Sequence, residues 1–354
     1  MSQQKEDVRN LSLEELREVF SEWREPGYRG SQVFKWLYQK NVQDLKQMTD
    51  FPKKLVAELE KRYFIGSFLC LKILAAKDGT KKFLWQLADG HSIETVLIPE
   101  KSRRTLCLST QVGCKFGCPY CMSGSKGFIR QLAAAEIVGQ ILEVQRLTGA
   151  KITNIVMMGI GEPLDNYENL VKAIRIINHP EGLGIGARKI TISTCGLVPG
   201  IMKLKKLGLQ VELSVSLQAT SDELRNRLVP INRKYNLEKL LPACREYFEA
   251  TDRVITFEYA LIESINDSDS DARRLADIAR RLKAKVNLIP CNPNMSFGYR
   301  RSAPRRVKDF QRILRSRGVT VTIRSTRGSE IQAACGQLAF DRTEDEEQGC
   351  LLRS

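Results

Sequence analysis

Histidine is nearly absent: 354 residues contain only two, His91 and His179. That leaves too little imidazole for a His-rich zinc site and weakens any Ser-His-Asp hydrolase reading. Long apolar runs are missing as well. No stretch reaches the 18 or more residues of a transmembrane helix, and the N-terminus, MSQQKEDVRN, has no apolar segment of the secretory kind. The expectation is a cytoplasmic protein with no membrane partner, in a compartment where thiols stay reduced. Cysteine, at ten residues, is too sparse for a disulfide scaffold. Metal binding or catalysis is the better use, with a few thiols buried as small apolar groups. Acidic residues fall short of basic ones, 41 against 56, for a net charge of +15. A chain this basic either meets a polyanion, most often nucleic acid, or carries a solvated basic surface.

What is present is globular. Charged residues make up 27% and hydrophobic ones 42%, which argues against wholesale disorder. At roughly 150 residues per domain the length suggests about two domains. Residues 1–65 read as short helices; SLEELREVFSEW places Leu13, Leu16, Val19 and Phe20 on one face. Such a segment is either a helical bundle with a basic face or an RNA-docking module. Residues 66–104 switch to strand patterns separated by KDGT and ADGH, whose Asp-Gly pairs signal tight hairpin turns. From 105 to 340 strand-like runs alternate with helical ones, among them NIVMM, KITIST, QVELSVSL, RVITFEYAL, AKVNLIP and VTVTIR. Alternation of this kind means an α/β fold, a parallel sheet with crossover helices. Some six units make a partial or complete barrel, with function at the C-terminal ends of its strands. The last stretch, 341–354, is polar and acidic and reads as a flexible tail.

The strongest local signal is GCKFGCPYCMSG, in which Cys114, Cys118 and Cys121 follow the first barrel strand. Closed structural zinc needs a fourth ligand, and so does an electron-transfer ferredoxin cluster. No close Cys or His supplies one. Three cysteines on a four-iron cluster leave one iron open to a substrate or cofactor, and Tyr120 is placed to shield it. Further along, MMGIGEPL offers Gly159 and Gly161 for close backbone approach and Glu162 as a carboxylate. Ser193 and Thr194, then Ser216, Leu217 and Gln218, then Asn292, fall at the ends of successive strands. Singly each reads as a cap or turn residue; together they suit the lining of one pocket. Two cysteines far apart in sequence, Cys107 and Cys335, are either buried thiols or partners across a barrel mouth.

The CxxxCxxC loop resembles the cluster motif of the radical S-adenosylmethionine (SAM) superfamily, and GIGEP resembles its SAM-binding element. Nearly the whole chain resembles the RlmN/Cfr family of radical SAM RNA methyltransferases. EPGYRGSQVFKWLYQK, SIETVLIP, RRTLCLSTQVGC, QLAAAEIVGQ, MGIGEPLDNYENL, GIGARKITIST, LVPINRKYNLEKLLPACR, FEYALIESINDS, VNLIPCNP and TRGSEIQAACGQL carry the likeness. The wording of GEPLDNY and GIGARKITIST is closer to the RlmN branch. The resemblance implies a (β/α)6-type partial barrel with a small N-terminal helical domain and a β-hairpin extension. It implies a [4Fe-4S] cluster on Cys114, Cys118 and Cys121, and SAM contacts from Gly161, Glu162, Ser193, Ser216, Leu217, Gln218 and Asn292. Two SAM molecules are used per turnover. One methylates Cys335; a second yields a 5′-deoxyadenosyl radical that takes hydrogen from the S-methyl group. The carbon radical then adds to an adenine carbon, and Cys107 attacks Cys335 to form a transient disulfide and free the product. Glu94 matches the proton acceptor. The implied substrate is an adenosine of 23S rRNA near the peptidyl-transferase centre, methylated at C2. Some RlmN-type enzymes also act on the tRNA adenosine just 3′ of the anticodon. A flavodoxin-type protein is the expected electron donor.

Some positions depart from the family pattern. Gln218 stands where His is usual, and CMSG replaces the common CATG. Cys195 and Cys291 read as packing residues; Cys70, Cys244 and Cys350 have no ligand-like neighbourhood. Three rival readings stay open: C8 methylation as in Cfr, a radical enzyme acting directly on another substrate, and an RNA-binding protein with a structural cluster.

Overall fold

The computed structural model describes residues 5–125, 127–292, 298–324, 327–334 and 336–338. The chain opens with β1 (Glu6–Asp7), followed by helices α1 (Leu13–Glu22), α2 (Tyr28–Tyr38) and α3 (Lys53–Arg62), and β2 (Tyr63–Phe64), which pairs with β1 in parallel. A capping box starts α1: Ser12 Oγ accepts from Glu15 N at 3.2 Å, and Glu15 Oε2 accepts from Ser12 N at 2.6 Å. The periodic face read from the sequence is inward, with Leu13, Leu16 and Phe20 buried.

Four antiparallel strands follow: β3 (Leu69–Ala75), β4 (Lys81–Gln86), β5 (Ser92–Glu100) and β6 (Arg103–Cys107). Both Asp-Gly pairs form the turns expected of them, with Gly79 and Gly90 each at φ 83°. A short hairpin comes next, β7 (Gln111–Gly113) against β8 (Phe128–Gln131), with the four-residue helix α4 (Met122–Ser125) between them. Then helices and strands alternate: α5 (Ala134–Thr148), β9 (Asn154–Met157), α6 (Tyr167–Asn178), β10 (Ile190–Thr194), α7 (Val198–Leu204), β11 (Glu212–Ser216), α8 (Asp222–Leu228), α9 (Leu237–Thr251), β12 (Thr256–Leu261), α10 (Asp269–Arg281), β13 (Lys285–Pro290), α11 (Pro304–Ser316) and β14 (Val321–Ile323).

One ten-stranded sheet runs β3-β4-β5-β6-β9-β10-β11-β12-β13-β14. From β6 through β14 every neighbouring pair is parallel, the α/β arrangement expected of a radical SAM fold. The hairpin strands extend this same sheet at its β6 edge, so they are a continuation of the barrel wall and not a detached unit. Strand periodicity sorts the faces. Ile155, Ile192, Leu213, Val215, Phe257, Tyr259, Val286 and Leu288 turn to the helices and share one core with the N-terminal helices. Burying each Leu, Ile, Val or Phe contributes about 1.5–3 kcal/mol. The alternate residues, including Ser193, Ser216, Glu258, Ala260 and Ile289, line the concave face, where the site lies.

The C-terminal segment crosses that concave mouth. Gly328 N donates to Asp78 Oδ2 at 3.2 Å, Lys77 N to Glu330 Oε1 at 2.5 Å, and Lys82 Nζ to Gln332 O at 3.4 Å, all on the β3–β4 hairpin. Further on, Met122 N donates to Gly336 O at 2.8 Å and Ser123 Oγ to Leu338 O at 2.7 Å. The CMSG variant of the cysteine loop therefore holds the residues after position 335. Cys335 itself, Cys350 and the expected tail of 341–354 lie outside the described residues.

Candidate active site

The concave face encloses a cavity of about 170 Å³, more than tenfold the space one water needs, so it is a ligand-sized site and not a packing fault. Cys114, Cys118 and Cys121 form one wall. Their loop is pinned at its base, where Cys114 N donates to Gly127 O at 2.8 Å. Gly113 is confined there: at φ 74° a Cβ would sit 1.9 Å from Gly127 O. The hairpin is in turn tied to the loop after β9. Gln111 Nε2 donates to Asp165 Oδ2 at 2.9 Å, and Asn166 Nδ2 to Thr110 O and Leu132 O at 2.8 and 2.7 Å. Burial pushes the Cys114 thiol up to about 12, with the neighbouring Cys121 adding to the effect. Burial raises Cys118 as well, and Cys121 and Cys114 push the same way.

Opposite the cysteines the GIGEP turn approaches with its backbone. Gly161 has φ 105°, and a Cβ there would meet the Gln111 side chain at 2.6 Å. Glu162 is buried and held from both oxygens: Oε1 accepts from Leu164 N at 3.1 Å, Oε2 from Cys195 N at 2.8 Å. Burial raises this carboxyl although the bonds from Cys195, Thr194 and Leu164 oppose it. Ser193, Ser216, Gln218 and Asn292 also line the cavity. Leu217 does not: its side chain is fully buried in the main core, and its carbonyl is taken by Arg225 Nε at 3.0 Å. Alternation explains this, since Ser216 faces inward and the next residue must face out. Gln218, in the left-handed region at φ 60°, turns the chain back toward the cavity. Its Oε1 accepts from Ala260 N at 2.5 Å, and its side chain also bonds Tyr120.

A second pocket adjoins the first and shares Met158, Ile289, Asn292 and Arg324 with it. Cys107 lines this second pocket together with Ala333 and Ala334, while Gly336 lines the first. The residues on either side of position 335 thus flank the junction of the two. Glu94 lies on the same sheet face as Cys107, two residues along β5 from Val96, the cross-strand partner of Cys107. It is buried and paired with Lys82 Nζ at 2.7 Å. The structure therefore gathers every described candidate on the concave side except the Leu217 side chain.

The profile of the Radical SAM superfamily matches residues 108–276, and that of a ribosomal RNA large subunit methyltransferase N-terminal domain matches residues 6–65. A probable dual-specificity RNA methyltransferase RlmN of Alkaliphilus metalliredigens is 44% identical over 345 residues, 97% of this chain and 98% of the relative. The chain belongs to the RlmN family of radical SAM RNA methyltransferases. The dual-specificity RNA methyltransferase RlmN of Syntrophotalea carbinolica is 45% identical over 333 residues, 94% of this chain and 89% of its own. The crystal structure of a radical SAM methyltransferase from Sphaerobacter thermophilus superposes with a TM-score of 0.88 at 44% identity, covering 94% of this chain and 98% of that one.

The cofactors of this family are a [4Fe-4S] cluster and SAM, and the cavity fits both. Three half-buried thiols, Cys114, Cys118 and Cys121, share one wall of the cavity, the donor set an iron-sulfur cluster takes. Burial disfavours the bare thiolate at Cys114 and Cys118; iron would supply the positive charge that replaces their protons. The turn at Gly161, which lines the cavity with the pinned carboxylate of Glu162 beside it, suits an aminoacyl group, whose ammonium needs an acceptor.

Sequence reasoning missed several residues here. Cys195 and Cys291 pack as expected but also line the cavity. Glu258 forms part of its lining, accepting from Asn287 Nδ2 at 2.8 Å, and burial raises its carboxyl against the pull of Arg324. Inward strand positions carrying Glu or Asn were the available signal. Lys82 and Arg225 had no local signal, because their partners lie on other elements.

Proposed function

We propose that this chain methylates C2 of an adenosine in 23S rRNA, near the peptidyl-transferase centre, through an S-methylated Cys335. The observation that carries the reading is the shared junction: Cys107 and the residues flanking position 335 line pockets that meet the cavity of the three cysteines. Cys114, Cys118 and Cys121 hold the cluster, and Gly161, Glu162, Ser193, Ser216, Gln218 and Asn292 hold SAM. When bound, the cofactors supply a carbon-centred radical able to take hydrogen from a methyl group.

The chain's own residues do the rest. Cys335 receives a methyl from one SAM and presents it to the adenine, a second SAM being consumed in activating it. Cys107 pairs with Cys335 in a transient disulfide that releases the product, and cytoplasmic thiols reset it. Glu94 accepts a proton, held in place by Lys82. The route has a chemical reason: adenine C2 is electron-poor, so it does not attack a sulfonium methyl as a nucleophile. The target base must be splayed out of its stack to reach the cavity. The N-terminal unit of residues 1–65, whose 12 basic and 11 acidic residues nearly balance, is assigned to RNA docking on the strength of its family match, residues 66–104 and 105–340 to the extension and the barrel. tRNA is assigned as a second substrate, a flavodoxin-type protein as electron donor, and the cytoplasm as the location; no described helix is long and apolar enough to cross a membrane.

The test is incubation of reconstituted, reduced protein with deuterated-methyl SAM and protein-free rRNA, with nucleosides read by mass spectrometry and Cys335→Ala in parallel. Labelled 2-methyladenosine from wild type alone is the expected result. 8-Methyladenosine would move the chain to the Cfr-type reaction. SAM cleavage without any RNA product, where a control enzyme succeeds, overturns the substrate.

A further inference from the structure

Arg225, in α8, is fully buried. Its Nε donates to Leu217 O at 3.0 Å and its Nη1 to Asn232 Oδ1 at 2.8 Å. Its Nη2 donates to Cys195 O at 2.7 Å and Ser216 O at 3.2 Å. Three of these four acceptors are carbonyls of the turns that follow β10 and β11, which form the far wall of the cofactor cavity. Among the described residues no carboxylate is bonded to the guanidinium. The link to one runs through Asn232, whose Nδ2 donates to Asp222 Oδ1 at 2.9 Å.

A buried cation without an anion in contact is expensive, on the order of several kcal/mol even after relaxation. Packing alone does not demand it, since a Met or Leu could fill the space, although the carbonyls of Leu217, Cys195 and Ser216 would then lose this donor. Holding two turns together does not demand a charge either. The missing partner is negative charge that arrives with the ligands. Two of the carbonyls it holds belong to Cys195 and Ser216, which line the cavity together with Cys118 and Tyr120; burial lowers its proton affinity.

We propose that Arg225 is a built-in counter-charge for the cofactor cavity, a positioning residue that offsets the negative charge of the thiolate-held cluster and raises its reduction potential. Reduction adds one electron to a site of low dielectric. A fixed cation nearby favours the reduced form more than the oxidised one, and its effect is largest where water does not screen it. The chain thereby eases the one-electron reduction on which radical formation depends. The inference rests on the assignment of Cys114, Cys118 and Cys121 as cluster ligands.

The test is a redox titration of the reconstituted cluster, followed by electron paramagnetic resonance, for wild type, Arg225→Gln and Arg225→Lys. At a fixed ambient potential the Gln variant is expected to show a reduced-to-oxidised ratio at least tenfold below wild type, about 59 mV for a one-electron couple. The Lys variant, which keeps the charge, is expected within threefold. A Gln variant within threefold of wild type overturns the proposal. So does a Lys variant that falls as far as Gln, because the bonds and not the charge would then set the potential. If Arg225→Gln does not fold, the exchange Asn232→Asp with Asp222→Asn decides. It moves an existing carboxylate into contact with the guanidinium without changing the net charge, at the loss of the Asn232 Nδ2 bond to Asn226 Oδ1 unless the Asn226 amide turns over, and must lower the potential; an unmoved potential overturns the proposal. Wild type that takes up no cluster removes the ligand assignment and this inference with it.

Discussion

Lys82 Nζ lies 2.7 Å from Glu94 Oε1, and both side chains are almost fully buried on the concave face of the sheet. Such a pair is weak evidence of stability, because two desolvated charges roughly cancel their attraction, but breaking it from one side strands a buried charge. Lys82→Met is expected to cost about 3–5 kcal/mol in urea unfolding. The double variant Lys82→Met with Glu94→Leu is expected to regain most of that loss. Additive losses in the two single variants and the pair would show that the two charges are not coupled.

Gly159 tests how closely the turn after β9 must approach. A Cβ at this position would lie 2.6 Å from Leu108 O, a backbone atom that has no free rotamer to retreat into. Gly159→Ala is expected to destabilise the protein by about 1–3 kcal/mol and to weaken SAM binding measured by equilibrium dialysis. Gly186→Ala, where no atom lies within 4 Å of the added carbon, is the matched control and is expected to leave both unchanged.

The N-terminal helices dock on α6 partly through Glu15, which pairs with Lys172 Nζ at 2.8 Å. Burial alone would raise the Glu15 carboxyl, but the bonds from Lys172 and Ser12 outweigh it, and the net shift is below the ordinary 4.5. A carboxyl lowered on folding adds stability that is complete above its unfolded pKa and disappears as the pH falls through the folded one. The contribution is under about 1 kcal/mol, since the pair is partly exposed and screened. Wild type should therefore exceed Glu15→Gln in unfolding free energy at neutral pH, and the gap should narrow as the pH falls below 4.5 and close once it is below the lowered folded value. A gap that persists in acid would assign the difference to packing.

Cluster removal is expected to leave the barrel folded. Each of Cys114→Ala, Cys118→Ala and Cys121→Ala should lose bound iron by metal analysis. Each should keep far-ultraviolet circular dichroism and a thermal midpoint within about 2–4 °C of the cluster-free wild type, equivalent to no more than roughly 1 kcal/mol. Cooperative unfolding on iron removal would contradict this.

The barrel was legible because its strands repeat one pattern: apolar residues facing the helices and small polar ones facing the cavity. Cys114, Cys118 and Cys121 stood out by spacing alone, and the structure places all three in the lining of one cavity. Leu217 shows where a motif misleads. Ser216, Leu217 and Gln218 read as one block, yet strand alternation sends the middle side chain to the core, and that too could be read from Ser214 and Ser216. The β7–β8 hairpin escaped because three- and four-residue strands have no period to detect. Lys82 and Arg225 escaped for another reason: a buried charge is meaningful only beside its partners, and those sit on distant segments.

The β7–β8 hairpin has one more consequence. It brackets the cysteine loop and is itself anchored by protein contacts, Gln111 and Gln131 to Asp165 and Asn166 to Thr110 and Leu132, so the loop is expected to keep its course without metal. In zinc fingers the ion is the keystone, and the fold falls without it. Here the cluster would be a cofactor added to a finished fold. A cell short of iron would be expected to accumulate idle but intact copies of this protein, ready to be refilled when supply returns, where a metal-nucleated domain would instead be lost to proteolysis and have to be made again.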